Sequence, residues 1–162
     1  MSGGAAPAFR AIDLGRDWDA IVAFHRDVFA ISHGTADAFS EATYHEILRD
    51  RLLHFPDGQR IVASEGVAVG QVELWPRYVE GRTVGYVSLF YLLPPWRGIG
   101  WGRELLAYAD RYFSGLGLDE CQLRVAAANE RAVRFYERHG FLRVGEERRD
   151  DLVWRMSRPI AR

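Results

Sequence analysis

The 162-residue chain contains no lysine: all 21 of its basic side chains are arginine, set against 22 acidic ones for a formal charge of −1. Without lysine there can be no Walker loop, which must end in Gly-Lys-Ser/Thr. The balanced charge argues against a nucleic-acid-binding protein, which carries a basic face. There is one cysteine, Cys121. It cannot form an internal disulfide, so nothing points to an oxidising compartment. At a strand start it reads either as a reactive thiol or, more commonly, as a small buried apolar residue. The five histidines (His25, His33, His45, His54, His139) lack metal-ligand spacing, and no metal is expected. No apolar run approaches the ~20 residues that span a bilayer, so no membrane association is expected. Residues 1–8 have neither the charged nor the apolar region of a signal peptide. These absences together predict a soluble, cytoplasmic protein.

What is present is a core. Five Trp, seven Tyr and nine Phe exclude a disordered chain, and the length suits one domain. Residues 1–8 read as a flexible tail and 9–162 as the domain. Phe9 to Leu14 predicts a short strand, and Asp17 a cap for a helix bearing Trp18, Ile21, Val22, His25 and Phe29 on one stripe. A second helix carries Tyr44, Ile47, Leu48, Leu52 and Phe55, ended by Pro56-Asp57-Gly58. Strands follow at 60–64, 67–75 and 84–93, the last two joined by a hairpin loop near 79–82. A third helix buries Leu105, Tyr108, Ala109, Tyr112, Phe113 and Leu116 and ends at Gly115 and Gly117. A strand at 121–128, a helix at about 130–139 and two hairpin strands at 141–147 and 152–157 complete the chain. The order β-α-α-β-β-β-α-β-α-β-β implies a mixed sheet with helices on its faces, an α/β (α+β) single domain.

The most informative stretch runs from Tyr91 to Leu106. An apolar strand stops at Pro94-Pro95, glycines follow at 98, 100 and 102, and a helix opens at once. Free first-turn amides and the helix dipole, roughly +0.5 charge, make such a start an anion site suited to phosphate. The Rossmann spacing fails, because Gly98 or Gly100 as first glycine would place the last at Arg103 or Leu105. What remains is Arg-x-x-Gly-x-Gly at Arg97, Gly100 and Gly102. The bland alternative is a tight strand-to-helix turn without a ligand.

A second segment, Cys121 to Phe141, has a strand, Asn129 at the next helix start, Tyr136 on that helix, then Gly140-Phe141. With the loop, in this order and one helix apart, it resembles the GNAT superfamily, the acetyl-CoA-dependent N-acetyltransferases. The likeness covers roughly residues 60–157. It implies a mostly antiparallel, mixed sheet flanked by helices, with acetyl-CoA as co-substrate. It further implies that backbone amides from Gly98 through Arg103 (Gly98, Ile99, Gly100, Trp101, Gly102, Arg103) hold the pyrophosphate. Arg97 adds charge, and the Arg103 side chain is either at the rim or simply solvated. By position, the Leu92 backbone, with Leu93 near it, orients the pantetheine and acyl carbonyl, the Leu92 N–H being the oxyanion-hole candidate. Asn129 corresponds to a cofactor-contacting residue and also suits a plain helix N-cap. Tyr136 corresponds to the general acid for the departing thiolate; on helical spacing alone it is a core tyrosine.

The base departs from the family pattern. Some members carry a Glu on the strand before the loop. Here the position six residues before Leu92 is Tyr86, with Ser88 and Phe90 on the same face by alternation. Glu73, the nearest strand carboxylate, is the candidate, against a solvent-pointing Glu73 and a basic pH optimum with no dedicated base. Asp27, His33, Asp37, Glu41, Trp75, Tyr78 and Glu80 would line the acceptor side and suit a cationic amine, each being also readable as plain surface. The expected activity is direct transfer of acetyl to a primary amine, small molecule or peptide, in a ternary complex. A non-catalytic acyl-CoA-binding or regulatory module is the alternative. A homodimer is possible, since exposed strand edges can pair.

Overall fold

The computed structural model describes residues 4–162. The first three residues of the expected tail lie outside the described residues. Seven strands, β1 (Ala8–Ala11), β2 (Gln59–Ser64), β3 (Val67–Val79), β4 (Arg82–Leu92), β5 (Glu120–Ala126), β6 (Leu142–Arg148) and β7 (Leu152–Pro159), form one sheet. Four α-helices accompany it: α1 (Leu14–His33), α2 (Glu41–His54), α3 (Trp101–Gly115) and α4 (Glu130–Arg138). The strand order is β1-β2-β3-β4-β5-β7-β6. Every pairing is antiparallel except β4 with β5. The predicted element order and the mixed, mostly antiparallel sheet are both found. Among the described residues no helix is long and apolar enough to cross a membrane.

Helices α3 and α4 pack on one face, where Leu106, Ala109, Phe113 and Val133 bury Leu74, Val87, Leu123, Val125 and Met156. Phe113 is fully buried, a contribution of about 1.5–3 kcal/mol. Helices α1 and α2 cover the other face of β2–β4. Ile21, Tyr44 and Leu48 meet Ile61 and Ala63 there, and Phe24 meets Leu89 and Tyr91.

Several sequence expectations shift. Asp13, not Asp17, caps α1: its backbone is extended and its carboxylate accepts from Arg16 N–H at 3.0 Å. Asp17 is buried in the first turn, where both guanidinium nitrogens of Arg10 reach it at 2.8 Å. Burial raises its pKa, but those bonds outweigh burial and hold it below its usual value. Leu116 and Ile47 are exposed: α3 stops before Leu116, and Ile47 lies at the margin of its stripe. On β4 an extra residue, Ser88, breaks the register, since Glu73 pairs with Leu89 while Leu74 pairs with Val87. Such a bulge swaps the faces of all later side chains. Tyr86 and Phe90, expected together, therefore lie on opposite faces: Phe90 packs beneath α3 while Leu89 and Tyr91 meet α1.

Candidate functional site

The site begins where two parallel strands part. β4 pairs with β5 over only Gly85–Val87 and Cys121–Leu123. Beyond that, residues 89–92 stay with β3 while 124–126 stay with β7. The gap leaves one edge of β4 without a strand partner. Leu93 donates its N–H to Val69 O at 2.8 Å, on the β3 side. Strand alternation then turns the Leu92 N–H and C=O toward the gap. Leu93 itself is thus committed to the sheet.

Two prolines end β4, and residues 94–96 make a single 3-10 turn. Gly98 and Gly100 follow with φ of 74° and 95°, values a side chain would strain. Gly100 is the N-cap of α3 and provides no side-chain cap, so the first-turn amides stay open to an anion. Gly102 serves packing: a Cβ there would lie 2.8 Å from the Phe135 ring of α4. Trp101 is buried in the core and the Ile99 side chain is exposed, so in this turn they contribute backbone.

A cleft of about 940 Å³ runs from this loop through the gap toward α1, within the size of small-ligand sites (about 300–1,000 Å³). Of the residues named from sequence, it brings together Leu92, Arg97, Gly98, Gly100, Gly102, Arg103, Asn129 and Tyr136. Leu93, Ile99, Trp101 and Glu73 do not line it. Four arginines do (97, 103, 131 and 138), and no carboxylate does. In a chain of net charge −1, that concentration of cation beside open helix amides, with Arg103, Arg131 and Arg138 free of ion pairs among the described residues, fits a polyanion. Arg131 approaches the loop closely enough that a Cβ on Gly98 would lie 3.2 Å from its Nη2. Sequence reasoning missed Arg131, Phe135 and Arg138. Their spacing of i, i+4 and i+7 on α4, the face shared with Asn129 and Tyr136, was the available signal.

Asn129 caps α4, its Oδ1 accepting from Ala132 N–H at 3.3 Å, and its amide nitrogen faces no competing bond among the described residues. Tyr136 packs edge-on against Phe135 and Phe141. Burial first, then the neighbouring Cys121, raises its pKa above the usual value, so it stays a proton donor at neutral pH. Arg97 does not reach over the loop. Its Nε donates to Leu92 O at 2.7 Å and its Nη2 to Asp27 Oδ2 at 3.1 Å, with the guanidinium over the Tyr91 ring. Tyr91 also donates its hydroxyl to Asp27.

Glu73, read as a strand carboxylate that is either the base or solvent-facing, lies under α1 and α2 instead, 2 % exposed. It accepts from Tyr44, from Arg51 at 3.0 Å and from Gln71 at 3.0 Å, and it faces His25 Nε2 at 3.2 Å. Burial pushes its pKa up, but His25, Tyr44 and Arg51 outweigh burial and hold it below the ordinary value. It is ionised but fully partnered, and it is off the cleft.

A family model described as the acetyltransferase (GNAT) family matches residues 18–141, most of the chain. The chain belongs to the acetyltransferase (GNAT) family. Its loop and splayed strands are therefore those of a GNAT domain. A mycothiol acetyltransferase of Propionibacterium freudenreichii subsp. shermanii is 40% identical over 62 residues, 38% of this chain and 20% of that protein. An uncharacterized N-acetyltransferase of Archaeoglobus fulgidus is 34% identical over 83 residues, 49% of this chain and 56% of that protein. The chain thus matches only a fifth to about half of these relatives' length. Among solved structures, Ard1 from Thermoplasma volcanium superposes with a TM-score of 0.78 at 18% identity, covering 98% of this chain and all of that one. The spermidine N-acetyltransferase from Vibrio cholerae, in complex with CoA and spermine, gives 0.73 at 23% identity, covering 95% of each. At those identities the likeness is one of fold.

Proposed function

We propose that this chain is an N-acetyltransferase that moves an acetyl group from acetyl-CoA to a primary amine by direct attack within a ternary complex. The observation that carries the reading is the cleft through the β4–β5 gap, lined by four arginines and no carboxylate, with the Leu92 peptide and the Tyr136 ring on its walls. Relatives of this family named as acetyltransferases, and a neighbour solved with CoA, support it.

In this reading the amides from Gly98 to Arg103, with Arg103, Arg131 and Arg138, hold the phosphates of the co-substrate. Acetyl-CoA supplies the activated acyl group as a thioester. The gap-facing Leu92 N–H donates to the acyl oxygen as negative charge develops there. Tyr136 gives its proton to the departing sulfur; a phenol near pKa 10 opposite a thiol near 8.5 needs only a small uphill step, and burial widens that step while keeping the donor protonated. No carboxylate lines the cleft, so the attacking amine loses its proton to solvent and the rate climbs with pH toward the amine's own pKa. We take the enzyme to act in the cytoplasm, where Cys121, its thiol pushed up to about 12 by burial, stays unreactive.

The test is calorimetric titration with acetyl-CoA, using free CoA and NADH as controls, followed by an amine panel read by thiol release. Saturable acetyl-CoA binding with turnover supports the transferase. Binding without turnover would mark an acyl-CoA-binding module instead, and no binding would withdraw the reading.

A further inference from the structure

The acceptor face of the sheet holds a second cationic site that the transfer chemistry does not use. α1 and α2 cover β2–β4. On the same face of β5 and β7, Arg124 and Arg155 pair across the strands and are about a quarter exposed. With Arg77 of β3 they line a cavity of about 120 Å³ beside Tyr86. The Arg77 guanidinium lies 4.8 Å and that of Arg124 5.7 Å from the Tyr86 ring centroid. Arg124 also donates to the Tyr86 hydroxyl at 3.4 Å.

The charges do not cancel. Glu147 takes Arg124 at 3.0 Å and Arg155 at 3.8 Å, and Glu80 reaches Arg155 only at 3.9 Å. Among the described residues Arg77 has no carboxylate within ion-pair range. The site is also shaped around its cations. Next to the bulge at Val144 on β6, Gly145 pairs with Arg155, and a Cβ on it would lie 2.5 Å from Arg155 Nη2, so the guanidinium packs where only a glycine leaves room. Meanwhile two of the acidic residues that could have drawn a cationic amine are engaged elsewhere. Asp27 holds Arg97 at 3.1 Å and Glu41 holds Arg26 at 2.7 Å.

We propose that Arg77, Arg124 and Arg155 bind a carboxylate of the acceptor, and that the acceptor is a peptide N-terminus with an acidic side chain about five residues in. The proposal deepens the acetyltransferase reading and rests on it. The length follows from the unbulged partner strand: five residues of β3 separate Trp75, opposite Tyr86, from Gly70, opposite Leu92, at about 3.3 Å each. A free amino acid, whose amine and carboxylate are neighbours, cannot span that distance, whereas an extended peptide of about five residues does. The exposed Ser88 lies between the two ends of that path. An arginine fork matches a carboxylate in two parallel hydrogen bonds, and the uncompensated charge at Arg77 sets the sign.

The experiment uses the full chain saturated with CoA and neutral hexapeptides, labelled at the C-terminus, with a single Glu at each position from 2 to 6. Binding is read by fluorescence anisotropy against the all-Gln peptide. Glu at position 5 should bind about tenfold tighter than Gln, and Glu at position 2 should gain nothing. Arg77→Ala/Arg155→Ala should remove the preference while the acetyl-CoA affinity and Tm hold. Arg77→Gln alone, at a side chain without an ion pair, should reduce it. Equal binding of Glu and Gln peptides, a preference peaking at position 2, or a preference that survives both variants would overturn the proposal. Failure of the transferase reading would look different: Glu-selective binding with no thiol released.

Discussion

Two charged clusters sit on opposite faces of the middle of the sheet, and they are built in opposite ways. On the α3–α4 face, Arg103, Arg131 and Arg138 line an open cleft whose lining includes no carboxylate. On the α1–α2 face, Glu73 is closed in by Tyr44, Arg51, Gln71 and His25. A charge that is left unpaired and open is available to a ligand. A charge that is buried and fully partnered holds the fold together and is costly to disturb. The largest expected effect follows: Glu73→Ala should cost about 3–5 kcal/mol, because it strands buried His25 and half-buried Arg51 without their counter-charge. A thermal melt checks it. If Tm held and turnover vanished, the cluster would be catalytic and the contrast would fail. The pH signature has a definite sign. The folded pKa of Glu73 lies below its unfolded value of 4.5. Its stabilisation is therefore present above that pH and lost as pH falls through the folded pKa. Glu73→Gln should flatten that acid limb and leave the pH–rate profile where it was.

The next effect belongs to the open cleft. Tyr136→Phe keeps the ring that packs on Phe135 and Phe141 and removes only the hydroxyl. It should lower kcat about 100-fold with acetyl-CoA affinity nearly intact, as read by steady-state kinetics beside calorimetry. Because the pKa of Tyr136 is raised, the wild-type rate should show no alkaline fall from its ionisation. Equal loss of binding and turnover would make Tyr136 a packing residue after all. Arg131→Ala, further from the reacting bond, should weaken acetyl-CoA about tenfold, a deficit that shrinks as salt is raised. An effect independent of salt would mean the arginine shapes the loop rather than attracting the phosphates.

The two sides were not equally legible. The glycine loop, Asn129 and Tyr136 could be read in order because backbone conformation ties them to fixed positions: a left-handed residue at 98 and 100, a cap at 129, a helical face at 136. The element order followed from the same punctuation. The α1–α2 side depends on register, and one inserted residue at Ser88 reverses every later side chain on β4. Strict alternation therefore grouped Tyr86 with Phe90, and nothing in the residues themselves announces a bulge. Glu73 was misread for a related reason. Its place on a strand does not say whether its face is covered, and only tertiary packing put α1 and α2 over it. Arg97 was given to the phosphates by motif, whereas its side chain folds back on Leu92 and Asp27, a contact between residues 70 positions apart.

That contact is where the two sides meet, and it yields the smallest and sharpest prediction. Asp27, on α1, accepts from both Tyr91 and Arg97, and Arg97 in turn holds the Leu92 carbonyl at 2.7 Å. The Leu92 peptide is the one whose N–H faces the gap, so in the proposed mechanism α1 steadies the oxyanion donor through a single arginine. Asp27→Asn keeps the shape and the hydrogen-bond acceptor but removes the charge that fixes Arg97. It should lower kcat about threefold, the cost of a slightly loosened donor rather than a lost one. Acetyl-CoA affinity and Tm should not change, because Arg97 keeps its bond to Leu92. If the variant instead lost acetyl-CoA binding, Arg97 would be working on the phosphates, and the division between a cofactor face and an acceptor face would have to be redrawn at β4.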